Sequence, residues 1–193
     1  MSDRVQVTGL VGSLRDESYT RIAIARALAG AERVGAGTEL VDLRTYDLPV
    51  FDPDDRDAGD AEHLQRTVGD ADAILLGTPM YHGSYASPLK NALDYCGFDE
   101  FEDTTVGLLA VAGGSFPLTA LEHLRSVCRS LDAWVLPYQA AVPRARHVIE
   151  DGQFTDSDLE DRVAALGRRA VRFANIEPDP TTFESEQNVG AQD

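Results

Sequence analysis

The stretch DAILLGTPMYHGSYASPLKNALDYCG, residues 72–97, decides the fold. Its apolar run from Ala73 to Leu76 has no polar face, which suits a strand covered on both sides, as in a parallel sheet. SPLKNALDYCG then reads as a helix with Ser87 as N-cap and Pro88 at the first helical position, where a missing N–H leaves no hydrogen bond unmade. Between strand and helix lies a loop, TPMYHGSYAS (78–87).

The same succession recurs on both sides. Upstream, Val5, Val7, Gly9 and Val11 alternate as a strand, and SYTRIAIARALAGAERV (18–34) places Ile22, Ala25 and Leu28 at helical spacing. TELVDL (38–43) is a second strand, 44–60 with Pro49 and Pro53 a long loop, and Ala61 to Val68 a short helix. Downstream, TTVGLLAVAGG (104–114) is a central strand. PLTALEHLRSVCRSLD (117–132) is a helix with Leu121, Leu124, Val127, Cys128 and Leu131 on one face. A fifth strand near 133–136 and a helix over 157–174 complete the pattern. The stretch 178–193 is polar and without period, so a disordered tail is expected there, and 1–177 is expected to form one domain.

Strands alternating with helices imply an α/β, doubly wound, five-stranded parallel sheet with helices on both faces and right-handed crossovers, most economically in the order 2-1-3-4-5. The topology then reverses between the first and third strands, and ligands bind there, outside the carboxyl ends. The loops leaving strands 1, 3 and 4 are GSLRDESYT (12–20), TPMYHGSYAS (78–87) and AGGSFP (112–117), all on that edge and all rich in glycine and serine.

Composition bounds the partners. The chain has 193 residues, 43% of them hydrophobic, and no apolar run approaches the roughly 20 residues of a membrane helix. Acidic residues number 33 against 17 basic ones, for a formal net charge of −16, so phosphate backbones are repelled over most of the surface and nucleic acid is a poor partner. Lys90 is the only lysine, an imbalance that resembles proteins of salt-loving archaea. At about 1 M salt the screening length falls to about 3 Å, so crowded carboxylates no longer repel. The N-terminus enters a strand-like segment with no leader pattern. Cys96 and Cys128 lack a C-x-x-C spacing, so a reducing cytoplasm fits and no metal site is indicated.

The three loops differ in what they offer. In the first, Gly12 gives a tight exit from the strand, Ser13, Ser18 and Thr20 supply hydroxyls, and Arg15 supplies a bidentate donor just before a helix start, which together suit an anion. The loop is neither a dinucleotide fingerprint nor a Walker loop. Ser18 as a plain helix cap with Arg15 in solvent is the competing reading, and Asp16 and Glu17 oppose a phosphate unless they point away. In the second, Pro79 and Met80 are apolar, Tyr81 and His82 flat, and Gly83 and Ser84 offer accessible N–H groups, which suits a planar heterocycle. His82 has no carboxylate or serine partner at a recognisable spacing, so no catalytic acid or base is assigned. In the third, Gly113, Gly114 and Ser115 let a ligand edge approach the backbone, as a plain strand-to-helix turn also would.

The stretches GSLRDESYTRIAIARAL, TPMYHGSYASPLKNALDY and AGGSFPLTALEHLRSVCRSLDAWVLP, spanning most of residues 5–142, resemble the NADPH-dependent FMN reductase family of the flavodoxin-like superfold, with its quinone, azo-dye and chromate reductases. Thr78, Pro79, Tyr81, Ser84, Leu89, Lys90, Asn91 and Asp94 match the family's T-P-x-Y-x-x-S-x-x-x-x-L-K-N-x-x-D pattern. Gly12, Ser13, Arg15 and Ser18 match its phosphate loop, with Thr20 in place of an asparagine, and Phe116 and Pro117 stand where glycines are common. The resemblance implies that Ser13, Arg15, Ser18 and Thr20 hold the FMN phosphate, that Pro79 to Ser84 line the isoalloxazine, and that Gly113 to Ser115 flank its pyrimidine end. It further implies NAD(P)H as co-substrate, a small quinone-like acceptor, and a homodimer or homotetramer in which Lys90 fits an interface ion pair. A flavodoxin-like electron carrier docking to redox proteins is the alternative. Such carriers usually have a phosphate loop without the arginine and lack the L-K-N helix.

Overall fold

Residues 4–174 are described by the computed structural model of the chain. β1 (Gln6–Val11) pairs in parallel with β2 (Gly37–Asp42) on one side and β3 (Ala73–Tyr81) on the other, and β3 pairs in parallel with β5 (Thr105–Val111). The order is β2-β1-β3-β5, with a last position beyond β5. That position is not the single fifth strand expected at 133–136. β6 (Trp134–Val135) pairs with the start of β5 and β7 (Ala140–Val142) with its end. Leu136 still donates to the Val106 carbonyl at 2.9 Å. Pro137 follows, and with no N–H to offer it interrupts the ladder until Ala140.

The second loop is also shorter than expected. β3 runs on through Tyr81 and turns back into β4 (Ser84–Tyr85), pairing Met80 with Tyr85 and Tyr81 with Ser84. His82 and Gly83 make the two-residue turn, with φ of 51° and 82°, the positive values that a primed hairpin turn requires at both central positions. α3 (Ser87–Tyr95) starts with Ala86, not Ser87, as its N-cap; the Ala86 N–H donates to Thr78 Oγ1 at 2.9 Å, so the strand end rather than a capping side chain satisfies it.

The helices are α1 (Tyr19–Glu32), α2 (Ala61–Gly69), α3, the short α4 (Phe98–Phe101), α5 (Leu118–Ser130), the one-turn α6 (Ala145–Val148) and α7 (Ser157–Arg172). A small antiparallel hairpin, β8 (Ile149–Glu150) and β9 (Gln153–Phe154), lies between α6 and α7. The expected disordered tail falls outside the described residues. Among those described, no helix is long and apolar enough to cross a membrane.

Successive strand residues alternate between two cores, as the pleat dictates. Val7, Leu75 and Leu109 join the core under α1 and α7, while Leu10, Ile74, Leu76 and Leu108 join the one under α2, α3 and α5. α1 and α7 touch through small residues: Ala23, Ala27, Gly30 and Ala31 face Ala164, Gly167 and Ala170, all buried. A Cβ on Gly30 would fall on the Ala164 carbonyl oxygen, and one on Gly167 on the Ala27 carbonyl oxygen, so each backbone occupies the space a side chain needs.

Two residues of the L-K-N segment have local roles. Asn91 Oδ1 accepts from the Phe51 N–H at 2.8 Å and its Nδ2 donates to the Pro49 carbonyl at 2.7 Å, which clamps the long loop after β2. Lys90 pairs with Asp94 one turn along the same helix.

Candidate functional site

The carboxyl ends of β1, β3, β5 and β7 enclose a cavity of about 260 Å³. Gly12 leaves β1 with its N–H on the Gly77 carbonyl, at 2.8 Å, which fixes the exit of the first loop against β3. The loop ends at Ser18, whose Oγ accepts the Arg21 N–H at 3.1 Å and caps α1. The first residues of α1, Tyr19 and Thr20, therefore line the cavity, and the helix presents its positive end there.

The structure brings Ser13, Arg15, Thr20, Pro79, Met80, Tyr81 and Gly113 together on this one cavity, as the three loops together suggested. Ser13 and Thr20 are buried hydroxyl residues, while Tyr81 is half exposed at its mouth. A Cβ on Gly113 would meet no protein atom within 4 Å, so the room beside it is free for a ligand. The other expected residues lie elsewhere. Ser18 is the buried helix cap. His82 and Gly83 form the hairpin turn, and Ser84 Oγ is hydrogen-bonded to His123 Nδ1 at 2.9 Å on α5. The Gly114 carbonyl accepts from the Arg144 N–H at 2.9 Å, and Arg144 Nε donates to Ser115 Oγ at 3.3 Å, so both serve to fasten the turn after β7.

That turn supplies what sequence reasoning missed. Tyr19, Val111, Ala112, Ala145 and Arg146 also line the cavity. The signal was the basic run RARH at 144–147, which had no role because β7 before it went unseen behind Pro137.

Electrostatics distinguish this cavity from the roomier hollow beside it. Its lining holds two guanidinium groups, Arg15 and Arg146, and not one carboxylate, in a chain of net charge −16. The neighbouring hollow of about 690 Å³ sets Asp16, Glu17, Glu150 and Asp151 against Arg21 and Arg146, and its excess of carboxylates disfavours an anion. Asp16, the obvious obstacle in the first loop, is held by Arg44 at 3.0 Å. Arg44 in turn holds Asp42 at 2.6 Å, and Arg21 joins Asp42 at 3.2 Å. This alternating chain of charges runs from the loop to the end of β2, and the Asp16 carboxylate at its outer end is turned fully to solvent, off the cavity wall. Burial pushes the Asp42 carboxyl up from its ordinary value, and Arg21 works against that.

Thiol chemistry is not on offer. Cys96 and Cys128 are buried and free, and burial pushes both thiols up to about 12, far from the thiolate at neutral pH. Among the described residues, no group of three or more His, Cys, Asp or Glu is placed to hold a metal ion.

Comparison with known proteins bears on the family and the fold. Residues 5–147 match the model of a family described as NADPH-dependent FMN reductase. An FMN-dependent NADPH-azoreductase of Staphylococcus aureus is 40% identical over 111 residues, covering 56% of this chain and 59% of the relative, so the match spans rather more than half of that protein's length. Among solved structures, a flavoenzyme NAD(P)H:(acceptor) oxidoreductase from Paracoccus denitrificans superposes with a TM-score of 0.75 at 20% identity, over 88% of this chain and 97% of that one. An NADH:FMN oxidoreductase in its apo form gives 0.72 at 19% identity, over 90% and 92%. At such identities these two structures establish the fold, which is flavodoxin-like.

Proposed function

The chain belongs to the NADPH-dependent FMN reductase family, and on that footing we propose that it is an FMN-dependent NAD(P)H oxidoreductase that delivers electrons to a small acceptor such as a quinone or an azo compound. The observation that carries the reading is the cavity whose lining holds two arginines, two buried hydroxyl residues and no carboxylate, closed by apolar walls. Those residues fit FMN: Ser13, Arg15 and Thr20 at the start of α1 suit its phosphate, and Pro79 to Tyr81 with Val111 to Gly113 suit the edge and face of a flat ring. FMN when bound supplies the two-electron chemistry, taking hydride from the nicotinamide and passing it to the acceptor.

The protein's part is positioning. The N–H groups at the α1 terminus and the Arg15 guanidinium hold the anionic end, and the Arg44–Asp42 anchor keeps that loop in shape before any ligand arrives. Met80 and Tyr81, fixed by the hairpin, border the mouth of the cavity, where a planar substrate would stack beside the flavin. At about 260 Å³ the cavity is below the usual range for a drug-sized ligand, so a bound flavin would extend beyond it and leave a face within reach of substrate.

One accessible face serves two substrates in turn. NADPH and a quinone should therefore give parallel double-reciprocal lines, and Tyr81→Ala should raise both KM values more than it lowers kcat. Intersecting lines would show both substrates bound together and sink the shared face. The protein loaded with FMN should oxidise NADPH with no partner reductase, whereas an electron carrier would need one.

The chain is further assigned to a cytoplasm of high salt, as a homo-oligomer. Free buried cysteines support a reducing compartment. The loop after β2 exposes Asp47, Asp52, Asp54, Asp55 and Asp57, which repel one another when unscreened. Leu14 and Val50, 58% and 87% exposed, flank a hollow of about 490 Å³ beside α3, an apolar surface suited to a second copy. Lowering salt from 1 M to 0.1 M extends screening from about 3 Å to about 10 Å. Each kcal/mol of restored repulsion lowers Tm by roughly 2–4 °C. A salt series should show Tm falling with dilution, and light scattering should show more than one chain per particle in 1 M salt. An unchanged Tm, or a monomer at 1 M, would refute the corresponding assignment.

A further inference from the structure

We infer that Arg146 is a second phosphate-holding arginine of the flavin site, reaching it from the turn after β7. The inference rests on the FMN reading of the cavity. The turn is pinned to the third loop at two points: the Ala145 N–H donates to the Ala112 carbonyl at 3.0 Å and the Arg144 N–H to the Gly114 carbonyl at 2.9 Å. Ala145 is buried beneath it, so the backbone position of Arg146 is fixed although its side chain is exposed. Arg146 shares the cavity wall with Ser13, Arg15, Tyr19 and Thr20, and it borders the adjoining hollow together with Ser18 and Tyr19, beside the start of α1.

Two features of charge point to an anion. Glu150 and Asp151 share the adjoining hollow with Arg146, yet Arg146 pairs with no carboxylate within 4.0 Å among the described residues, and neither does Arg15. Arg21 and Arg44, nearby and of the same type, are both taken up by Asp42. Of Arg15, Arg21, Arg44 and Arg146, the two without a carboxylate partner are the two that border the carboxylate-free cavity. A phosphate monoester between them receives bidentate donors from two segments far apart in the sequence, which a phosphate loop with one arginine cannot provide.

The test compares flavins that differ only in the phosphate, read by quenching of flavin fluorescence, so that turnover plays no part. Arg146→Gln should weaken FMN by about tenfold while riboflavin changes less than about twofold, and Arg146→Lys should recover part of the loss because it restores charge but not the planar fork. Arg15→Gln combined with Arg146→Gln should lose less than the product of the single losses, since both act on one phosphate. Arg146 is exposed, and an unchanged melting curve will show that the variants are folded. Equal losses for FMN and riboflavin, no loss for either, or an effect confined to NADPH over NADH would overturn the role of Arg146. Wild-type protein that fails to bind FMN would instead overturn the reading of the cavity itself.

Discussion

Replacing Arg15 with alanine is expected to weaken FMN binding by roughly tenfold to 150-fold and to leave riboflavin almost untouched. Removing a hydrogen bond to a charged group typically costs about 1.5–3 kcal/mol, and each 1.4 kcal/mol is a factor of ten in affinity. Arg15 is exposed and makes no ion pair within 4.0 Å among the described residues, so its loss leaves no orphaned carboxylate and the fold should be unaffected. The ratio of the two flavin affinities isolates the phosphate from the ring, because Pro79 to Tyr81 and Gly113 are the same in both titrations. Equal losses would mean that Arg15 does not meet the phosphate.

The largest effect on stability is expected at a glycine far from the cavity. In a helix interior Gly→Ala ordinarily stabilises by about 1 kcal/mol. At Gly167 the sign should reverse, since the new methyl would land on the Ala27 carbonyl oxygen and force α1 from α7. Backbone, unlike a side-chain tip, cannot turn aside. A net loss of about 2 kcal/mol follows from overpacking of this kind and corresponds to a Tm lower by roughly 4–8 °C. Gly114→Ala is the control, because a Cβ there meets nothing within 4 Å and should shift Tm little. A Gly167→Ala protein at least as stable as the wild type would show that the two helices are less closely joined than described.

The sheet was legible because β1 alternates, β3 and β5 carry continuous apolar runs and TELVDL stands between two helical stretches, and parallel pairing follows once helices separate the strands. The cavity was legible in part for a related reason: ligand loops of such a sheet leave the same edge, so Ser13, Arg15, Thr20, Pro79 to Tyr81 and Gly113 could be gathered from positions far apart. What escaped depends on contacts that no local pattern announces. AAV at 140–142 is too short to signal a strand, and without it Arg146 had no address. The Asp16 carboxylate looked hostile to phosphate because its partner, Arg44, lies 28 residues away. The Tyr81–Ser84 hairpin was hidden by His82, a residue that seldom adopts positive φ in place of the usual Asn or Gly. Ser84, Gly114 and Ser115 carry motif residues whose hydrogen bonds in this structure fasten neighbouring segments.

The α1–α7 seam also has a meaning in time. α7 leaves the ribosome long after α1, so the backbone of α1 at Ala27 and Gly30 waits for Gly167 and Ala164 while every strand between them is made. Contacts so distant in sequence form late and slow the folding of the whole. The turn between β1 and α1 is thus made early but braced late, and a nascent chain interrupted before residue 157 carries every residue of the cavity wall without the helix that packs on α1.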